Sequence, residues 1–116
     1  MATSEQPQRA AIRAPRIEDG AGIWTLVRDS GVLDLNSAYL YLLLCKDFAD
    51  TCRVAEADGR LVGFVTAYRP PGRPEVLFVW QIGVAASQRG QGLGGRLLRA
   101  LVGADACRGV SALETT

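Results

Sequence analysis

Val84-Ala85-Ala86-Ser87-Gln88-Arg89-Gly90-Gln91-Gly92-Leu93-Gly94-Gly95-Arg96-Leu97-Leu98 is the stretch that decides how this chain folds. An apolar, strand-like run from Val76 to Val84 leads into a glycine-rich turn. The turn opens a helix in which Leu93, Leu97, Leu98 and Leu101 recur at helical spacing. Strand, small-residue loop and helix N-terminus together make an anion site, because the first N–H groups of a helix lack partners within it and add to its dipole. Gly90, Gly92 and Gly94 offer no Cβ to block a pyrophosphate and accept positive φ. Arg89 adds a fixed positive charge at the rim.

Two familiar phosphate loops do not fit. A P-loop needs Lys and then Ser or Thr after its last glycine, where this chain has Gly95-Arg96. A dinucleotide fingerprint belongs in the first βα unit, whereas three strand-like segments precede this loop. The remaining pattern, Arg89-x-x-Gly92-x-Gly94 after a strand, resembles the acyl-CoA pyrophosphate loop of the GCN5-related N-acetyltransferases.

Length and composition set bounds on this reading. The 116 residues suit one modest domain and not two. With 48% apolar and 22% charged residues the chain is globular in composition. A net charge of +1 supplies no basic field, so neither nucleic acid nor an anionic membrane surface is an expected partner. The longest apolar run, Ala38 to Cys45, is too short to cross a bilayer, and the polar N-terminus has no secretory pattern. The default expectation is cytoplasmic. Cys45, Cys52 and Cys107 lack metal spacing, and without histidine no metal site and no Ser-His or Cys-His nucleophile is expected. The three thiols read as reduced packing residues.

Along the chain, residues 1 to 15 read as a polar flexible tail and 16 to 116 as the domain. A first helix is expected from Glu18 to Asp29, stopped at Ser30-Gly31. Asn36 or Ser37 caps a second helix that turns Leu40, Leu43 and Leu44 inward, with Tyr39 and Tyr41 flanking. Strands Cys52–Ala57 and Arg60–Tyr68 are joined at Asp58-Gly59, a hairpin signal. Val76–Val84 is the next strand, a third helix covers roughly Gly94 to Ala106, and Val110–Thr115 makes a short final strand. The order implies an α/β class with a mixed sheet and helices on both faces. Against the N-acetyltransferase fold it covers the first two-thirds, without that fold's last helix and two strands, so the fifth strand is expected at an open edge.

The resemblance narrows further. Ile17-Glu18-Asp19-Gly20-Ala21, Leu33-Asp34-Leu35-Asn36-Ser37, Tyr41-Leu42-Leu43-Leu44-Cys45, Gly63-Phe64-Val65, Tyr68-Arg69-Pro70-Pro71, Leu77-Phe78-Val79-Trp80-Gln81 and Leu113-Glu114-Thr115-Thr116 are similar to segments of the L-2,4-diaminobutyrate acetyltransferases of bacterial ectoine synthesis. That resemblance implies acetyl-CoA as co-substrate, acetylation of the γ-amino group of L-2,4-diaminobutyrate, a part in osmoadaptation, and a homodimer. Such a substrate needs oxygens for its ammonium groups, a donor for its carboxylate and an aromatic wall. Asp34, Asn36 and Tyr39 lie in one turn-to-helix corner, and Trp80 can wall a pocket and attract a cation. Arg69 is a candidate partner for the carboxylate. Each also has a plainer role: Asp34 and Asn36 suit a turn and cap, Tyr39 helix packing, Trp80 a core.

The expected chemistry is direct transfer in a ternary complex, since no cysteine has a basic partner to make it a thiolate. Asp34 or Glu114, directly or through water, is the expected base. Backbone N–H groups of Ile82, Gly83 and Val84 would hold pantetheine and polarise the thioester carbonyl. Arg89, Gly90, Gly92, Leu93 and Gly94 would hold the pyrophosphate. In the family a tyrosine of the following helix protonates the departing thiolate, and this chain offers no evident substitute. The alternatives are another small-amine or amino-acid N-acetyltransferase of the same fold, or a non-catalytic truncated fragment.

Overall fold

The computed structural model describes residues 9–115. Five strands form one sheet in chain order: β1 (Ala11–Arg13), β2 (Cys52–Ala57), β3 (Arg60–Tyr68), β4 (Val76–Val84) and β5 (Ala112–Glu114). Neighbours are antiparallel from β1 to β4, and β5 runs parallel to β4. Helices α1 (Asp19–Ser30) and α2 (Ala38–Asp47) cover one face, and α3 (Leu93–Val102) covers the other.

The tail expected up to residue 15 does not include residues 11–13. Ala11–Arg13 adds a strand to the edge of β2, and part of the reason is electrostatic. Arg13 donates to both carboxylate oxygens of Asp19, at 2.7 and 3.1 Å, and to Glu56 at 3.0 Å. Ala10 and Ile12 also pack on the α3-side core, so a three-residue strand is held by charge and by contacts distant in the chain. Residues 1–8 lie outside the described residues.

Each face has its own core. Leu93, Leu97 and Leu101 of α3, one turn apart on a single stripe, pack on Val65, Ala67, Leu77 and Val79. Each fully buried leucine contributes about 2 kcal/mol. On the other face Ile23 and Val27 of α1 and Tyr41 and Leu44 of α2 pack on Val54 and Phe64. The two helices cross closely at Gly20, where a Cβ would lie 2.8 Å from the Leu42 Cα. Ser37 is the N-cap of α2, its hydroxyl accepting from the Leu40 N–H at 3.3 Å.

Two boundaries differ from expectation. Helix α3 stops at Val102 with Gly103 as its C-cap, and Asp105–Cys107 forms a separate 3-10 turn. Strand β5 is three residues long, and pairs only with Val76, Leu77 and Phe78. Beyond Phe78 the β5 side of β4 is unpaired among the described residues. No helix among the described residues is long and apolar enough to cross a membrane.

Candidate active site

The site is organised by an irregularity in β4. Thr66 pairs with Gln81 but Ala67 pairs with Val79, so Trp80 is an extra residue in β4. A regular strand sends successive side chains to opposite faces. Here Leu77 and Val79 face the α3 core, Trp80 packs with the α1–α2 core, and Ile82 and Val84 return to the α3 side. The bulge thus puts the adjacent Trp80 and Gln81 on one face, beneath α2.

There they meet Tyr41 and Asp34. The Tyr41 and Trp80 rings lie 5.8 Å apart in a tilted stack. The Tyr41 hydroxyl donates to Gln81 Oε1 at 2.9 Å, and Gln81 Nε2 donates to the Asp34 carbonyl at 2.7 Å. Asn36 Nδ2 reaches the same carbonyl at 3.4 Å. The Asp34 backbone is therefore fixed from below, while its residue is exposed at the surface. Sequence reasoning chose Asp34 and Trp80 and passed over Tyr41 and Gln81, which join them. The available signal was a glutamine inside the apolar run Val76–Val84.

The other expected substrate residues stand apart. Tyr39 is 67% exposed, and two helical positions from Tyr41 it points the opposite way. Asn36 braces the turn. Glu114 pairs in register with Phe78, three residues along β4 from Gln81, about 10 Å away at strand rise. Its carboxylate takes two bonds from Arg73, at 2.6 and 3.1 Å. That guanidinium holds the Glu114 carboxyl below the usual carboxylate range. Arg69 is not aimed at a substrate: it donates to the carbonyls of Pro74, Ala106 and Arg108, at 2.6, 3.0 and 2.9 Å. It staples the segment after α3 to the β3–β4 loop.

The open side of β4 leads to the anion loop. The Ala85 N–H bonds to the Val62 carbonyl at 2.8 Å, which fixes the alternation of the β3–β4 ladder. Gly83 then bonds toward Phe64, and the N–H and C=O groups of Ile82 and Val84 face the open edge. Of the three residues expected to present N–H groups there, Gly83 does not. It serves by size, since a Cβ would sit 2.7 Å from the Phe64 ring and 3.1 Å from Leu33. Arg89 folds back over this edge, its Nε donating to the Val84 carbonyl at 3.3 Å.

Gly90 and Gly92 have φ of 79° and 76°, and Gly92 is the N-cap of α3 with no side-chain cap. The first bond into the helix runs from the Arg96 N–H to the Gly92 carbonyl, so the N–H groups of Leu93, Gly94 and Gly95 have no helical partner. Gly94 does not take positive φ, contrary to expectation, because it already lies in the first turn of α3. Leu93 sends its side chain to the core and leaves only its backbone to the loop. The arrangement offers an extended strand edge for an amide-bearing chain and, at its end, unpaired N–H groups for an anion.

The three thiols are buried and unpaired. Burial pushes Cys45 up to about 12 and Cys52 to about 11, and raises Cys107. Among the described residues no three His, Cys, Asp or Glu side chains are grouped to hold a metal.

The acetyltransferase (GNAT) family matches residues 21–116, from α1 through β5. This chain belongs to that family. Among curated relatives it is 54% identical over 102 residues to an L-2,4-diaminobutyric acid acetyltransferase of Marinococcus halophilus, covering 88% of this chain and 59% of that protein. It is 50% identical over 113 residues to one of Nocardia farcinica, covering 97% of this chain and 58% of that protein. Among solved structures, the diaminobutyrate acetyltransferase EctA of Paenibacillus lautus, in complex with L-2,4-diaminobutyric acid and coenzyme A, matches with a TM-score of 0.91 at 49% identity. The match covers 93% of this chain and 65% of that one. The loading GNATL domain of CurA from Lyngbya majuscula shares the fold, with a TM-score of 0.74 at 17% identity. This GNAT chain spans less than two-thirds of the length of these relatives.

Proposed function

We propose that this protein acetylates the γ-amino group of L-2,4-diaminobutyrate with acetyl-CoA as donor, a step of ectoine synthesis. The likeness to the EctA complex carries the reading, because it combines sequence identity with a shared backbone. The open β4 edge and the α3 N-terminus support it, since they match an amide-bearing chain ending in a pyrophosphate. The same resemblance underlies three further parts of the reading: a homodimer, a cytoplasmic setting and a role in osmoadaptation.

Acetyl-CoA supplies an acetyl thioester. The N–H groups of Ile82 and Val84 bind along pantetheine and polarise the thioester carbonyl, while Gly90, Gly92, the N–H groups of Leu93 and Gly94, and Arg89 bind the pyrophosphate. Trp80 walls the amine pocket, and Asn36 braces the turn that carries Asp34. Asp34 takes the proton that the γ-ammonium must lose, directly or through water, before the nitrogen attacks the thioester carbon. The C–S bond then breaks, and the departing thiolate takes up the second proton that the nitrogen sheds on becoming an amide. Asp34 is preferred over Glu114 because Arg73 occupies the Glu114 carboxylate. Holding the amine and thioester in line supplies much of the rate.

The test is acetyl-CoA-dependent thiol release with L-2,4-diaminobutyrate, beside lysine, ornithine and a blank without amine. It is run on this chain and on a form lengthened past Thr116 to the span of the relatives. Release specific to diaminobutyrate from either form supports the reading. Silence from both overturns it.

A further inference from the structure

Tyr41 is fully buried, and Gln81 is only 9% exposed. Their polar atoms are nevertheless all committed, in a line that ends on a backbone atom and not on a carboxylate. The ring of Tyr41 rests against Trp80, and its hydroxyl reaches the Asp34 carbonyl both through Gln81 and directly, at 3.5 Å. One side chain is thus coupled to both walls of the proposed pocket. Because Gln81 Oε1 accepts from Tyr41 and its Nε2 donates to Asp34, the amide has one satisfied orientation. The bulge at Trp80 makes this possible, since a regular strand would turn Gln81 toward α3.

We infer that the Tyr41–Gln81 pair is a positioning element that sets the spacing between Asp34 and Trp80, and with it the length of diamine the pocket accepts. The inference rests on the function proposed above. Neither residue meets the reacting atoms; both act through Asp34 and Trp80. A fixed gap between carboxylate and indole separates diamines that differ by one carbon, and slack in the 33–36 turn removes that discrimination. Burial makes the device sensitive, because deleting one partner leaves another polar atom unpaired away from water.

Tyr41→Phe keeps the ring and its stack on Trp80 but removes the hydroxyl. Gln81→Leu removes both bonds of the amide and leaves only the 3.5 Å contact of the Tyr41 hydroxyl with the Asp34 carbonyl. Three readouts follow each variant: the thermal midpoint, backbone amide order parameters, and kcat and KM for diaminobutyrate and ornithine. The order parameters of Asp34 and Leu35 are expected to fall from about 0.85 to below about 0.6, with Val54 and Val65 unchanged. The KM for diaminobutyrate rises roughly tenfold, the KM for acetyl-CoA stays put, and the preference for diaminobutyrate over ornithine shrinks. A turn that stays rigid in both variants, with that preference intact, overturns the inference. If Gln81→Leu does not fold, Tyr41→Phe decides alone. If neither this chain nor its lengthened form acetylates either amine, the proposed function fails, and the order parameters still decide whether the pair holds the turn.

Discussion

Arg73 grips Glu114 with two hydrogen bonds, at 2.6 and 3.1 Å, across the ends of the β3–β4 loop and β5. A carboxylate engaged on both oxygens and held below its ordinary range is a poor proton acceptor. The Asp34 backbone is pinned just as firmly, but its side chain faces solvent. Glu114→Gln is therefore expected to leave kcat/KM within about threefold of the parent, and Asp34→Asn to lower it about 100-fold. Steady-state kinetics on the two variants separate the roles; the reverse ranking assigns the base to Glu114.

Acid should weaken the fold through Asp19. Burial pushes its carboxyl up, but bonds from Arg13 and from the Arg16 N–H, at 2.7 Å each, outweigh that and hold it below the ordinary range. A lowered folded value means stability that is full above the ordinary carboxylate range and lost as pH falls through the folded one. Asp19→Asn is expected to cost about 2 kcal/mol at neutral pH. The variant's thermal midpoint should fall less steeply than the parent's below pH 4, a contrast read from melts across the acid range.

The crossing of α1 and α2 should not tolerate a methyl group at residue 20. A Cβ there meets the Leu42 backbone at 2.8 and 2.9 Å, and backbone cannot rotate away. Gly20→Ala is expected to destabilise by about 2 kcal/mol, a drop of roughly 10 °C in Tm for a chain of this size. Calorimetry gives the answer directly.

Removing Arg89 should act on the donor alone. Arg89 stands one residue before Gly90, and its Nε is tied to the Val84 carbonyl at the open edge. Arg89→Ala is expected to raise the KM for acetyl-CoA about tenfold and to leave the KM for the amine unchanged. The effect should shrink as salt is added, because an exposed charge is screened.

Thiol reagents should not inhibit the folded protein. With Cys45 pushed up to about 12 and Cys52 to about 11, little of either is thiolate at pH 8. Mass spectrometry after iodoacetamide is expected to find the native chain largely unmodified and the urea-unfolded chain alkylated at all three cysteines. Rapid native alkylation with parallel loss of activity would revive an acyl-cysteine route.

Sequence alone determined the elements whose causes are local. The leucine spacing of α3, the Asp58-Gly59 turn between β2 and β3, a cap at Asn36 or Ser37 and the Gly90–Gly92 loop each depend on a handful of neighbouring residues. Their dihedral preferences and periodicities are readable in one dimension. Tertiary structure decided what depends on partners distant in the chain. Ala11–Arg13 is a strand because Asp19 and Glu56 hold Arg13 while Ala10 and Ile12 pack on the core. Arg69 is a staple because the carbonyls of Ala106 and Arg108 come within its reach. Asp34 and Trp80 are linked through Tyr41 and Gln81 because a bulge turns Gln81 to Tyr41's side of the sheet. Strand periodicity fixes which face a side chain takes only until one residue is inserted. Where that insertion falls is set by pairing with β3, which no local pattern in β4 records.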